Sequence, residues 1–105
     1  MSNMIQAARE QVAALTQAAY ERAAAEGLLP AGAEVKATIE IPKDVTHGDY
    51  ASSFAMAGAK ALRRAPRQIA EVIVSHLDLA GTFFDKVEIA GPGFLNFTLG
   101  PKWYG

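Results

Sequence analysis

The chain has 105 residues, half of them hydrophobic and a fifth charged, which fits one globular domain around one modest core. Ten basic and eleven acidic residues leave a formal charge of −1, which argues against a free-standing nucleic-acid binder driven by bulk positive charge. There is no cysteine, so disulfides and thiolate metal sites are excluded, and His47 and His76 are not paired at metal-ligand spacing.

No apolar run approaches the roughly 20 residues of a membrane span. Polar and acidic residues between Met1 and Glu10 do not suit a signal peptide. The expectation is a cytoplasmic, monomeric protein without membrane contact.

Ile5, Ala8, Val12, Leu15 and Ala19 step by three and four, which predicts a helix from about Ser2 to Glu26. Gly27, Leu28 and Pro30 supply its stop. Val35, Ala37, Ile39 and Ile41 then alternate with Glu34, Lys36, Thr38 and Glu40, the period of a half-buried strand ended by Pro42. Pro42 to Gly48 reads as a loop, with a brief strand around Asp49 to Ala51. Ser52 or Ser53 is placed to cap a helix holding Phe54, Ala57, Ala61 and Leu62. Pro66 suits a first helical position, and a further helix carries Ile69, Val72, Ile73 and Leu77 on one face, ending by Gly81. Val87 and Ile89 alternate with Lys86 and Glu88. Gly91-Pro92-Gly93 turns the chain, and Phe94 to Leu99 returns as a strand. The predicted class is α+β, a two-layer sandwich with helices on one face of an antiparallel sheet, in the order α-β(β)-α-α-β-β.

Three groups of residues carry candidate chemistry. His47-Gly48-Asp49-Tyr50, with Ser52 or Ser53 nearby, invites a small hydrolase reading, against which stands a plain glycine-containing turn. Lys60, Arg63, Arg64 and Arg67 cluster where one helix gives way to the next. They suit phosphate oxygens, and equally a solvated helix end whose cations face the negative pole of the dipole. On the last strand Leu95, Phe97 and Leu99 share one face, the core face, while Phe94, Asn96 and Thr98 share the other. A ring and an amide two residues apart offer a stack and a base edge, which is what reading one unpaired base requires. Gly91 and Gly93 would let an RNA backbone come close. The competing reading has Phe94 covering the sheet edge or packing on a further domain, and spacing alone does not separate the two.

The motifs resemble a known family. Ile39-Glu40-Ile41-Pro42-Lys43-Asp44 followed by His47-Gly48-Asp49-Tyr50-Ala51 is similar to the first signature of bacterial-type arginyl-tRNA synthetase N-terminal domains. Pro66-Arg67-Gln68-Ile69-Ala70 resembles the start of that domain's later helix. Phe84 to Ile89, running into Ala90-Gly91-Pro92-Gly93-Phe94-Leu95-Asn96-Phe97, resembles its closing hairpin, the most specific of the three motifs. The likeness spans nearly the whole chain in the right order.

The resemblance implies a two-layer domain that touches the outer corner of tRNA. An aromatic and an asparagine on its final strand recognise a protruding D-loop nucleotide, commonly adenine; Phe94 and Asn96 hold those positions. Some members carry tyrosine where this chain has Phe94, which keeps the stack and removes a hydroxyl. The family's enzyme, a class I aminoacyl-tRNA synthetase, attaches arginine to tRNA(Arg) using ATP and magnesium. Its HIGH-type and KMSKS-type signatures are absent from this sequence. The expectation is therefore a non-catalytic domain over residues 1–99, with no catalytic residue, metal or cofactor of its own. Residues 100–105 would begin the linker to the catalytic domain, since Trp103 and Tyr104 read as a boundary inside a longer protein. The expected partners are tRNA(Arg), through its D-loop, and the remaining synthetase domains. The alternative is a stand-alone RNA-binding module of the same fold.

Overall fold

Alanine-rich sequence favours helix intrinsically, and α1 runs Met4–Ala25 in the computed structural model, which describes residues 4–41 and 49–100. The predicted loop between Pro42 and Gly48, Ser2, and the Trp103–Tyr104 terminus lie outside the described residues. Ala8, Val12, Ala19, Tyr20 and Ala23 form the buried stripe of α1. Thr16 joins that stripe because its hydroxyl donates to the Val12 and Ala13 carbonyls at 3.1 and 3.0 Å, so burial leaves no polar atom unmet. Gly27 ends the helix in the left-handed region, at φ +79, where an L side chain would be strained. The Tyr20 hydroxyl donates to the Pro30 carbonyl and accepts from the Ala33 N–H, tying the following turn back to the helix.

The segment after that turn departs from expectation. Ala33, Val35, Ala37 and Ile39 are half-buried and their neighbours exposed, as the alternation predicts. Yet only Ile39–Glu40 forms a ladder (β1), and Ile41 is 53% exposed rather than facing the core. For Val35 and Ala37 the reason is the length of the neighbour: β2 is only Tyr50–Ser52, so they have no strand residues to pair with. Ser53 supplies the missing bonds instead. Its N–H donates to the Thr38 carbonyl at 2.9 Å and its Oγ accepts from the Thr38 N–H at 2.8 Å.

That use of Ser53 leaves α2 (Phe54–Leu62) without a side-chain cap from the residue at its N-cap. Ser52 accepts from the Phe54 N–H at 3.2 Å. The buried face of α2 is Phe54, Ala55, Gly58 and Leu62, whereas Ala57 and Ala61, predicted on it, are exposed. The buried arc is centred between Phe54 and Ala55, and the two alanines lie past its edge. Helix α3 (Pro66–Ser75) starts at the predicted proline and buries Ile69, Ala70 and Ile73. It ends before Leu77, which with Val72 is half-buried.

Strands β3 (Phe84–Ala90) and β4 (Phe94–Leu99) form the predicted hairpin. The sheet order is β1-β2-β4-β3, with every neighbouring pair antiparallel. The two-helix crossover between β2 and β3 leaves a gap that β4 fills. A bulge at Asp85 breaks the alternation of β3, so that both Phe84 and Val87 turn to the core side. Phe84 meets Tyr50 edge-on, with ring centroids 5.9 Å apart, and Phe97 at 5.3 Å. Three helices cover this face of a four-stranded antiparallel sheet, the predicted α+β class.

At the far end of the helices, His76 locks α1 to α3. Its Nδ1 lies 2.8 Å from the Val72 carbonyl and its Nε2 3.0 Å from the Glu26 carboxylate. Two acceptors are both satisfied only by an imidazolium, and the Glu26 hydrogen bond, then the Val72 one, raises the His76 pKa above its ordinary value. Arg22 adds a bond to the His76 carbonyl at 2.6 Å.

Two outcomes are expected. Phe97→Ala should destabilise the domain by about 3–5 kcal/mol in denaturant melts, because Phe97 has no exposed surface. Asn96→Ala should cost far less, and the reverse order would mean an inverted strand register. A raised folded-state pKa makes the His76 contribution fully present below the unfolded value and lost as pH rises through the folded one. The Tm advantage of wild type over His76→Gln should therefore be larger at pH 6 than at pH 9. An advantage that grows with pH would contradict the assigned hydrogen bonds.

Candidate nucleic-acid interface

The central strand β4 has two used faces. Leu95 and Phe97 point into the core with no exposed surface, so Phe94, Asn96 and Thr98 point to the helix-free side. Across the hairpin, Ala90 pairs with Phe94, Glu88 with Asn96 and Lys86 with Thr98. On the other side Ala51 pairs with Asn96, and Glu40 with Ala51. One row across all four strands thus reads Glu40, Ala51, Asn96, Glu88. Ala51 contributes only a methyl group, which leaves the β2 side of the carboxamide low.

Asn96 is only 7% exposed, more enclosed than an ordinary outer-face residue, because β4 is flanked on both sides. Its carboxamide makes no hydrogen bond to any described residue, yet neither its nitrogen nor its oxygen is sealed from solvent. Buried amides are normally paired. This one is enclosed, and its bonding capacity is unused among the described residues. Phe94 is half-buried, its ring 3.9 Å from where a side chain on Gly91 would begin.

The two turn glycines serve different needs. Gly91 is exposed and open apart from the Phe94 ring. Gly93 is buried at φ +145, and a Cβ there would lie 2.9 Å from Cβ of Pro66. The first turn of α3 therefore closes the Gly93 side to any outside chain, and Gly93 is required by packing inside the domain. Arg67, the next residue of the same helix, donates from Nη1 to the Gly91 carbonyl at 2.9 Å. The hairpin tip is seated on the N-terminal turn of α3.

That contact joins two groups of residues which the sequence leaves apart. Lys60, Arg63, Arg64 and Arg67 are all exposed, and none forms an ion pair with a carboxylate among the described residues. Four of the ten cations stand within eight positions, and through Arg67 the group reaches the hairpin. Arg63 is the only described non-glycine residue with positive φ, at φ 55 and ψ 43. It occupies the left-handed position after α2 where glycine is the usual choice. Its N–H and that of Arg64 both donate to the Ala59 carbonyl.

The described members of the alternative catalytic set have structural partners. The Asp49 carboxylate accepts from the Leu99 N–H at 2.8 Å and its own N–H donates to the Phe97 carbonyl, so it ties β2 to the end of β4. Ser52 and Ser53 serve the backbone as described, and His47 lies outside the described residues. No group of three His, Cys, Asp or Glu side chains able to hold a metal ion occurs among the described residues. Sequence reasoning missed the placement of Glu88 and Ala51 beside Asn96. Counting outward from Gly91-Pro92-Gly93 would have given Glu88; nothing in the sequence announces that β2 lies against β4.

A family model described as the arginyl tRNA synthetase N terminal domain matches residues 4–99. An arginine–tRNA ligase of Acetivibrio thermocellus is 41% identical over 103 residues, covering 98% of this chain and 18% of that protein. One from Caldanaerobacter subterraneus is 44% identical over 99 residues, 94% of this chain and 18% of its own length. The chain thus spans less than a fifth of the curated relatives it matches. A crystal structure of the arginyl-tRNA synthetase from Plasmodium falciparum superposes with a TM-score of 0.69 at 16% identity, covering 90% of this chain and 16% of that one. That last likeness concerns the fold.

The backbone at Arg63 gives a direct test. A left-handed L-residue is strained by roughly 1 kcal/mol, and glycine relieves that strain while losing more freedom on folding. Arg63→Gly should therefore leave the melting temperature unchanged or raise it by a few degrees. A clear loss of stability would show that the arginine side chain is held for the fold rather than carried despite it.

Proposed function

Because the chain belongs to the arginyl-tRNA synthetase N-terminal domain family, we propose that it is the tRNA-recognition domain of an arginine–tRNA ligase. In this reading the whole protein attaches arginine to tRNA(Arg) with ATP and magnesium, in the cytoplasm and as a monomer. The HIGH-type and KMSKS-type signatures are absent from this sequence, and on that ground ATP, magnesium and the catalytic groups are assigned to the other domains.

The observation that carries the reading is the Asn96 carboxamide, enclosed but unbonded among the described residues, on the outer face two residues from Phe94. A protruding D-loop base stacks on the Phe94 ring and presents its edge to Asn96. The enclosure matters energetically. A side chain already held by its neighbours loses little freedom on binding, so more of each hydrogen bond appears as affinity. Gly91, exposed at the tip, lets a sugar–phosphate backbone approach. Gly93 serves indirectly, by letting the hairpin seat on Pro66. Lys60, Arg63, Arg64 and Arg67 face phosphate oxygens, a local attraction that a net charge near zero does not forbid. Arg63 supports this, since strain retained at a cation with no ion-pair partner among the described residues points to use elsewhere.

The test is arginine charging by the full-length ligase. Base stacking and a bidentate amide contact are each worth roughly 1–3 kcal/mol. Phe94→Ala and Asn96→Ala should each lower charging efficiency by about one to two orders of magnitude while the domain remains folded. Both effects should vanish on tRNA whose protruding D-loop base has been removed. Normal charging of wild-type tRNA by Asn96→Ala would end this reading.

A further inference from the structure

Arg67 stands apart from the other cations of its group. Lys60, Arg63 and Arg64 lie at the end of α2, where the negative pole of the helix dipole suits them. Arg67 is the second residue of α3, at the positive pole, which favours acids. Helix stability does not account for a cation there. Its one polar contact among the described residues is the bond from Nη1 to the Gly91 carbonyl, 24 positions along the chain.

Phe94 is the residue this bond serves. The ladder between β2 and β4 ends where Ser52 meets Leu95, so Ala90 and Phe94 pair with each other in a part of the hairpin that β2 does not flank. Asn96, by contrast, has Ala51 on one side and Glu88 on the other. A two-stranded ribbon is marginal on its own. The Phe94 ring lies at the tip, with Cδ2 3.9 Å from where a side chain on Gly91 would begin. The first turn of α3 steadies that tip, because Gly93 packs against Pro66 and Arg67 bonds to Gly91.

We propose that Arg67 is a positioning residue for tRNA reading, holding the Gly91 turn and through it the Phe94 ring in the orientation that an unpaired base meets. The proposal rests on the stacking role given to Phe94. It is a separate task from the phosphate contacts of the four cations, because it acts through the hairpin and not through charge. A ring already fixed by the bond loses little freedom when a base stacks on it, so more of the stacking appears as affinity. Without the bond, part of that gain goes into ordering the tip. The bond itself is exposed, and its loss costs the fold little.

The experiment uses the full-length ligase as wild type, Phe94→Ala, Arg67→Ala and Arg64→Ala. Each is assayed for kcat/KM on two tRNA(Arg) substrates, one intact and one abasic at the protruding D-loop nucleotide. The abasic tRNA keeps every phosphate, so the ratio of the two efficiencies reports base reading and not charge. Phe94→Ala should remove most of the wild-type ratio, and Arg67→Ala should lower it by about threefold or more. Arg64→Ala removes a neighbouring cation that does not bond to the hairpin. It should lower both efficiencies alike and leave the ratio as in wild type. The melting temperature of Arg67→Ala should stay within a few degrees of wild type. If Phe94→Ala lowers the ratio and Arg67→Ala does not, the positioning role is wrong and the stacking site survives. The role is also overturned if Arg64→Ala lowers the ratio as much as Arg67→Ala, because the effect would then be one of charge. Melting of Arg67→Ala below the assay temperature overturns it as well, since the bond would then belong to the fold. A Phe94→Ala ratio equal to that of wild type removes the stacking site, and the positioning role with it.

Discussion

Strand β4 must serve two surfaces at once, and the rest of the domain is arranged around that demand. It is bonded on both edges, to β2 and to β3, which is possible only because the α2–α3 crossover holds those two strands apart. One face carries Leu95 and Phe97, and with Phe84 and Tyr50 it makes the aromatic centre of the core. The other face carries Phe94 and Asn96. Because the period of a strand is two residues, the core fixes the outer face without further instruction. Any slip that exposed Asn96 differently would also pull Phe97 out of the core. The cost of that slip, several kcal/mol, guards the register of residues that themselves contribute little to stability.

The second constraint is the seating of the hairpin. A free hairpin tip would hold Phe94 loosely, since a two-stranded ribbon is marginal in water. Here the absence of a side chain at Gly93 lets the turn lie against Pro66, and Arg67 ties the Gly91 carbonyl from the next position. One helix start thus fixes the turn and carries cations to its flank. The same arginine that positions the hairpin retains further donors, so local order and local charge arise from one side chain.

Much of this was legible in the sequence because periodicity encodes burial. The three helices, the closing hairpin and the inward set on β4 follow from spacings of three, four and two. What was not legible depends on contacts between distant segments. The alternation from Val35 to Ile41 is a true record of burial, yet it overstates the strand, because pairing needs a partner and β2 supplies three residues. Thr16 escaped notice because a hydroxyl that bonds to its own helix can be buried like an apolar group. Gly93 had the right residue type for close approach, but the neighbour that needs the space is Pro66, twenty-seven positions earlier in the chain. The outward placement of Phe94 and Asn96 followed from spacing; the enclosure of an amide that bonds to no described residue is a property of the four-stranded order.

Net charge conceals the last feature. A chain at −1 looks unsuited to RNA, yet the sum says nothing about where the charges stand. Salt screens exposed charges beyond about 10 Å at ordinary ionic strength. A phosphate near Arg63, Arg64 and Arg67 therefore responds to those groups and hardly to distant acids such as Glu21 or Glu34. The acids nearest the amide, Glu88 and Glu40, lie in its own row on the sheet, whereas the four cations lie at the α2–α3 junction and reach the hairpin through Arg67. Opposite charges in separate places can do separate work. Cations at the flank suit a sugar–phosphate chain, and acceptors beside the amide suit the donor edge of a base. A uniformly basic face would attract RNA more strongly, but it would lack these hydrogen-bond acceptors.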